Sequence, residues 1–151
     1  MIDRFDEILQ NLGKVFDLDL RADRNHACAI QIKQGLIVQL QCDAAQENLL
    51  IASKVVELPP GKFRENVLKE ALKANAKLDP IVGIFAYIAK INQLVLFQQY
   101  PFDVLTSERL AGLLGPFIQT AEKWKSAILA GQPAPPPSEV SSMYAMKGLR
   151  P

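Results

Sequence analysis

The chain has 151 residues, of which 49% are hydrophobic and 22% charged, with a formal net charge of +1 at pH 7. This length suits one domain with one sizeable core, and the composition is that of an ordinary globular domain. Acidic and basic side chains alternate instead of gathering on one face, so we expect no nucleic-acid partner.

The start of the chain differs from a secretory signal peptide. Asp3, Asp6 and Glu7 stand where a signal peptide carries a basic run followed by an apolar one. The longest apolar run, residues 81–89, is far shorter than the ~20 residues that span a bilayer as a helix, and it is better explained as a buried strand. We therefore expect a cytoplasmic protein without a membrane span.

An amphipathic helix opens the chain. Apolar residues recur at spacings of three and four, and two more lie beside them: Ile2, Phe5, Leu9, Leu12 and Phe16, with Ile8 and Val15. So broad a stripe fits a well-buried helix, but it also fits an apolar docking surface of which part stays uncovered. In the second case Phe5 and Leu9 are candidate contacts for a polypeptide ligand.

A β-hairpin follows, with strands over residues 27–33 and 36–42. A two-residue turn would mix polar and apolar side chains on each face. A three-residue loop over residues 33–35, with Gly35 at positive φ, separates them instead. The inward face then has three pairs: Ile32 with Leu36, Ile30 with Val38, and Cys28 with Leu40.

The outward face of this hairpin is polar but uncharged. It consists of Ala27, Ala29, Gln31, Ile37, Gln39 and Gln41. Small or flexible side chains suit a surface along which another backbone lies, although an ordinary solvated sheet face has the same composition. We predict a groove here in which Ile37 and Gln39 contact the ligand, together with Leu50 of the next strand.

The third strand and the second helix both end at prolines. The strand spans residues 49–58 and stops at Pro59, because proline cannot continue a hydrogen-bonded ladder. The helix runs from about residue 63 to residue 78 and stops before Pro80, whose ring disfavours helical geometry in the preceding residue.

A second hairpin, over residues 84–89 and 94–97, is apolar on both faces, so both faces must be covered. One explanation is a second copy of the protein, which meets the first through a two-fold interface. The other is that both strands lie centrally under two helices of the same chain. The first explanation predicts a dimer interface with four candidate residues: Leu72, Ile84, Ala86 and Ile88.

The last helix begins at Thr106 or Ser107 as the N-cap and continues to about Ile128. Proline removes a backbone donor and costs about 3 kcal/mol inside a helix, so we expect a kink or break near Pro116.

The element order predicts an α+β fold: helix, three strands, helix, two strands, helix, with an antiparallel sheet. The chain after residue 131 is rich in proline, which enforces extended geometry and leaves little to pack. We therefore expect one domain over residues 1–131 and a mobile tail over residues 132–151.

His26 lies two residues before Cys28, so a nucleophile and base pair has to be considered. The predicted register, however, puts Cys28 in an apolar setting, which raises a thiol pKa and suppresses the reactive thiolate. It also makes Cys28 and Cys42 diagonal neighbours, about 7 Å apart, which is too far for a disulfide. Metal-ligand spacings and nucleotide-binding motifs are missing from the sequence. We expect free thiols, no cofactor or metal, and no enzymatic activity.

Four segments resemble the class I chaperones of bacterial type III secretion, the family that serves Tir-like and Yop-like effectors. They are FDEILQNLG at 5–13, NHAC at 25–28, LPPGKFRENVLKEAL at 58–72 and FIQTAEKW at 117–124. The resemblance covers about residues 1–131, with the same order of elements.

This resemblance implies a small dimer in the bacterial cytoplasm that takes part in protein transport and virulence. It would bind the N-terminal region of a secreted effector or gatekeeper protein in extended form, keep it secretion-competent and present it to the secretion apparatus. Residues 63–66 and the tail look most like chlamydial members, some of which pair with a different chaperone, so a homodimer and a heterodimer are both open. The alternatives are a regulatory protein of the same fold without a secretion role and a cysteine-dependent enzyme.

Overall fold

The structure is a computed structural model that describes residues 3–32, 35–77 and 82–136. Within these ranges the chain forms three α-helices and five β-strands in the predicted order, which confirms the α+β fold. The elements are α1 (Arg4–Phe16), β1 (Ala27–Gln31), β2 (Ile37–Cys42), β3 (Asn48–Glu57), α2 (Lys62–Lys77), β4 (Ile84–Ile88), β5 (Gln93–Pro101) and α3 (Ser107–Leu129). The predicted end of α2 at Pro80 and residues 137–151 of the predicted tail lie outside the described residues.

All five strands belong to one antiparallel sheet, in the order β1-β2-β3-β5-β4. β5 pairs with β3, although β4 comes before β5 in the chain. As a result, β4 lies at the far edge of the sheet. A β-bulge between Lys54 and Val56 shifts the register of β3 against β5. The sheet therefore has two edges, β1 on one side and β4 on the other.

The register of the first hairpin is the predicted one. Cys28 lies opposite Leu40, and Ile30 lies opposite Val38. Gly35 has a φ of 79°, in the left-handed region that glycine enters without a Cβ clash. The other two loop residues are outside the described part of the chain. The alternation of this hairpin is therefore confirmed, with one face towards the core and one away from it.

The inner face of the sheet forms one hydrophobic core with α1 and α3. One buried residue from each strand contributes to a row across the sheet: Ile30, Val38, Ser53, Leu96 and Phe85. The polar member, Ser53, donates its hydroxyl hydrogen to the carbonyl of Ile37 at 2.9 Å, so its burial leaves no unmet hydrogen bond. Phe85 packs against Trp124 of α3, with ring centroids 4.4 Å apart.

α1 is a core helix with an exposed end. Its cap is Asp3, whose side chain accepts the N–H of Asp6 at 2.8 Å. Most of the apolar stripe is buried, namely Phe5, Ile8, Leu9 and Leu12. Val15 and Phe16, in the last turn, are exposed. The breadth of the stripe thus combines burial along most of the helix with uncovered side chains at its C-terminal end.

α3 continues through Pro116 as one helix, which corrects the expectation of a break there. Of the two predicted N-cap candidates, Thr106 is the N-cap, through its side-chain oxygen, and Ser107 is the first helical residue. Pro116 and Gly112 are both exposed, so the Gly112 carbonyl that lacks a helical donor can be solvated by water. The Thr120 hydroxyl also donates to the Pro116 carbonyl at 2.9 Å. The proline is tolerated because it lies on the solvent side of the helix.

Candidate functional site

The outer face of the sheet holds an open groove of about 930 Å³. One row of residues on this outer face crosses all five strands: Ala29, Gln39, Ala52, Phe97 and Ile84. Gln39, Ala52 and Phe97 of this row line the groove. Lys125 and Leu129, in the last turns of α3, border the groove. The inner face is closed by helices, so this outer face is where the sheet presents its side chains to a partner.

Three predicted ligand contacts, Ile37, Gln39 and Leu50, line this groove. Two predicted dimer contacts, Ala86 and Ile88 of β4, line it too. The sequence analysis predicted the ligand contacts and the dimer contacts as two separate surfaces. In the folded sheet, these five residues line one groove. Ile37 is 49% exposed, although it is large and apolar, so its side chain is available to a partner.

The composition of the outer face changes from one edge of the sheet to the other. The β1 and β2 side carries uncharged amide side chains, Gln31 and Gln39 among them. The β5 and β4 side is mainly apolar, with Val95, Phe97 and Ile88, and Lys54, Glu57 and Lys125 add charged groups to the groove lining. Amide side chains can hydrogen-bond to a polypeptide backbone, whereas the apolar half is suited to burial against other apolar side chains.

Phe5 and Leu9 lie in the core and not in the groove. Both side chains are 0% exposed, in α1, which covers the inner face. The structure therefore favours the explanation of a well-buried helix for these two residues, and not that of an apolar docking surface.

Leu72 lies on α2, which packs against β4. It is 69% exposed, and Ile84 and Ile88 of β4 are 39% and 41% exposed. Large apolar side chains with this much exposure are clustered on the α2 and β4 side of the molecule. The structure thus brings the predicted dimer residues to one side of the chain.

The hydrogen bonds at both ends of β1 show which of its backbone groups face the sheet. The Cys42 N–H donates to the His26 carbonyl at 2.9 Å, and the Ile32 N–H donates to the Leu36 carbonyl at 2.7 Å. Since hydrogen bonding alternates along an antiparallel pair, the even-numbered residues of β1 bond to β2. The N–H and C=O groups of the odd-numbered residues therefore point away from the sheet.

The outward groups of β1 belong to Ala27, Ala29 and Gln31, and only the last two residues leave them available. At Ala27 both groups are occupied by Asp23: its N–H donates to the Ala27 carbonyl at 2.8 Å, and its carboxylate accepts the Ala27 N–H at 3.0 Å. The outward groups of Ala29 and Gln31 have no partner in the described part of the chain. An extended polypeptide can add to the sheet here, at the edge of the face that holds the groove.

Cys28 and Cys42 are free and buried on the inner face, as predicted. Burial raises the pKa of the Cys28 thiol. Burial, together with the nearby Asp43 and Asp3 carboxylates, raises the pKa of Cys42 to about 11. Such thiols carry little thiolate near neutral pH. Among the described residues, no group of side chains is arranged to hold a metal ion.

A membrane-spanning segment is not found either: no helix within the described ranges is long and apolar enough to cross a bilayer.

Comparison with family models matches residues 7–125 to the Tir chaperone protein (CesT) family. Comparison of the sequence with curated proteins finds no match.

Solved structures share the fold at low sequence identity. A chain of the ExsC–ExsE complex is 19% identical, with a TM-score of 0.69, and the match covers 83% of this chain and 94% of that one. A chain of the HopA1–SchA chaperone–effector complex is 18% identical, with a TM-score of 0.66 and coverage of 82% and 94%. A third match comes from the Yersinia pestis type III secretion chaperone SycH in complex with a stable fragment of YscM2. It is 17% identical, with a TM-score of 0.61 and coverage of 78% and 96%.

Proposed function

We propose, because the chain belongs to the Tir chaperone protein (CesT) family, that it is a type III secretion chaperone. It binds the N-terminal region of a secreted effector or gatekeeper protein in extended form, keeps it secretion-competent and presents it to the secretion apparatus. The observation that carries the proposal is the open groove on the outer face of the sheet, next to the free edge of β1. The role is one of binding in the bacterial cytoplasm, without catalysis and without a cofactor.

The geometry supports a two-part mode of binding. The backbone of the extended cargo pairs with the outward groups of Ala29 and Gln31, which provides affinity without regard to sequence. The cargo chain that continues from this strand across the outer face contacts Ile37, Gln39 and Leu50, which provide selectivity. Each apolar side chain buried in this way contributes about 1.5 to 3 kcal/mol, less the entropic cost of ordering the captured chain.

The apolar half of the surface supports a dimer. A second subunit that covers Ile84, Ala86 and Ile88, with Leu72 of α2, removes large side chains from water, which is the main driving force of association. This subunit is a second copy of the chain or, in line with the resemblance to chlamydial members, a different chaperone. The domain over residues 1–131 carries both surfaces.

The proposal is tested by purifying the tagged protein from a bacterium that has a type III secretion system and identifying the protein bound to it. We expect a secreted protein whose N-terminal fragment is sufficient for binding, and whose secretion falls when the chaperone gene is deleted. A bound protein that is never exported, with secretion unchanged by the deletion, would favour a regulatory role for the same fold. Binding that requires the folded C-terminal part of the partner would contradict capture of an extended segment.

A further inference from the structure

The two edges of the sheet differ in how their outward backbone groups are covered. On the β4 edge, a residue of α2 provides the cover. β4 is an edge strand, so the backbone groups of alternate residues would be expected to point into solvent, as those of Ala29 and Gln31 do on β1. At Phe85, however, both groups are taken. The Phe85 N–H donates to Asn75 Oδ1 at 2.7 Å, and Asn75 Nδ2 donates to the Phe85 carbonyl at 2.9 Å.

The amide of Asn75 replaces a neighbouring strand. It has one acceptor and a donor in the same plane, like a peptide group, and it binds the N–H and the C=O of a single residue as a paired strand would. Phe85 is the second of the five residues of β4, so the occupied position lies within the strand and not beyond its end. An incoming backbone cannot pair with Phe85 while Asn75 is in place. Of the two residues of β4 whose backbone groups point outward, this leaves only Tyr87, whereas β1 offers Ala29 and Gln31 in succession.

Polar contacts also hold the other end of α2 against the β4 hairpin. Arg64 donates to the hydroxyl of Tyr87 at 2.9 Å and to Asn92 Oδ1 at 3.3 Å, and the Tyr87 hydroxyl donates to the same Asn92 oxygen at 2.7 Å. α2 itself buries fully only Val67 and Ala71. Leu68 and Ala74 are partly buried against the core as well, so apolar packing and these polar contacts together position the helix along β4.

From this geometry we infer that Asn75 determines the binding specificity of the sheet: it closes the β4 edge to strand addition and so restricts backbone pairing to β1. The inference rests on the proposed function, in which the ligand is an extended polypeptide. It follows that a subunit bound on the β4 side makes its contacts through side chains such as Ile84 and Ile88, and not by extending the sheet. Backbone pairing with cargo is thereby confined to the β1 edge, at the opposite side of the sheet from the edge that the second subunit covers.

The test uses Asn75→Leu, which keeps a side chain of similar size and removes both hydrogen bonds. The matched control is Asn66→Leu on the same helix, since the Asn66 side chain makes no hydrogen bond within the described ranges. We expect the Phe85 amide of the Asn75 variant to exchange its hydrogen about tenfold faster or more. We also expect sedimentation velocity to detect species larger than the wild type, formed through the opened β4 edge.

A second substitution identifies the edge involved. Ala29→Pro removes an outward N–H of β1 without removing a bond to β2, so species formed through β4 should persist in the double variant. Faster exchange without larger species would overturn the inference, because Asn75 would then be only a local structural contact. Disappearance of the larger species with Ala29→Pro would also overturn it.

If Asn75→Leu does not fold, Asn75→Asp provides the same test, because its carboxylate accepts the Phe85 N–H but repels the Phe85 carbonyl. It should give the same larger species in smaller amount, and their absence would overturn the inference. No cargo is needed for these measurements, so failure here would leave the proposed chaperone function intact.

Discussion

At the scale of single residues, Ile37 is the side chain most available to a ligand in the predicted cargo site. It is 49% exposed on the outer face and lines the groove. Ile37→Glu should weaken cargo binding about ten- to a hundredfold, which corresponds to about 1.5 to 3 kcal/mol of lost apolar contact. The thermal midpoint should stay near that of the wild type, because the side chain contributes little to the core.

The control for this measurement is Val104→Glu, which alters an exposed apolar residue outside the groove. Val104→Glu should leave the affinity for cargo unchanged. Unchanged affinity in the Ile37 variant, with unchanged stability, would remove this sheet face from the cargo site.

The two cysteines give a prediction about reactivity. With a pKa of about 11 instead of 9.0, Cys42 has about a hundredfold less thiolate at pH 8 than an ordinary cysteine. A thiol reagent should find two slow thiols in the native protein and two fast ones after unfolding. A fast-reacting Cys28 that is slowed by His26→Ala would contradict this and support the enzyme alternative.

The raised pKa of Cys42 also affects stability. Because the folded-state pKa exceeds the unfolded value, the native state holds the proton more tightly. This contribution is fully present below pH 9 and is lost as pH rises towards 11.

At the scale of elements, α3 tolerates a proline in its interior at a cost. Pro116→Ala restores a backbone donor to the Gly112 carbonyl and should raise the free energy of unfolding by about 1 to 3 kcal/mol. Urea unfolding followed by circular dichroism would measure the change.

Gly115→Ala is the neighbouring control, since a Cβ there would meet nothing within 4 Å. It should stabilise the protein by only about 0.5 to 1 kcal/mol. A destabilised Pro116→Ala would mean that the helix depends on the geometry that proline imposes.

At the scale of the whole molecule, the α2 and β4 side should carry a subunit interface. Ile88→Asp would bury an unpaired carboxylate there at a cost of several kcal/mol, so we expect monomer or aggregate in sedimentation experiments. The isolated fold should survive, because Ile88 is 41% exposed in the single chain.

Val104→Asp is the control: Val104 is 54% exposed and lies on neither α2 nor β4. A wild type that is monomeric alone but dimeric with a second chaperone would restrict the prediction to a heterodimer. Monomers under both conditions would contradict it.

Some features of the fold could be predicted from the sequence because they depend on neighbours a few residues apart. The order of helices and strands follows from apolar periodicity, and the register pairing Cys28 with Leu40 follows from the alternation of two adjacent strands. The capping role of Thr106 and the separation of the two cysteines are local in the same sense. The polar, uncharged outer face around Ile37 and Gln39 belongs here too.

The remaining features were decided by contacts between distant parts of the chain. No local pattern specifies that β5 lies between β3 and β4, yet this order joins the predicted cargo and dimer residues into one groove. A broad apolar stripe has the same sequence pattern in a covered helix and in an exposed one. The burial of Phe5 and Leu9 was therefore decided by the elements that pack against α1. The bond between Asn75 and Phe85 depends on where α2 crosses the edge of the sheet, which periodicity within one helix cannot determine.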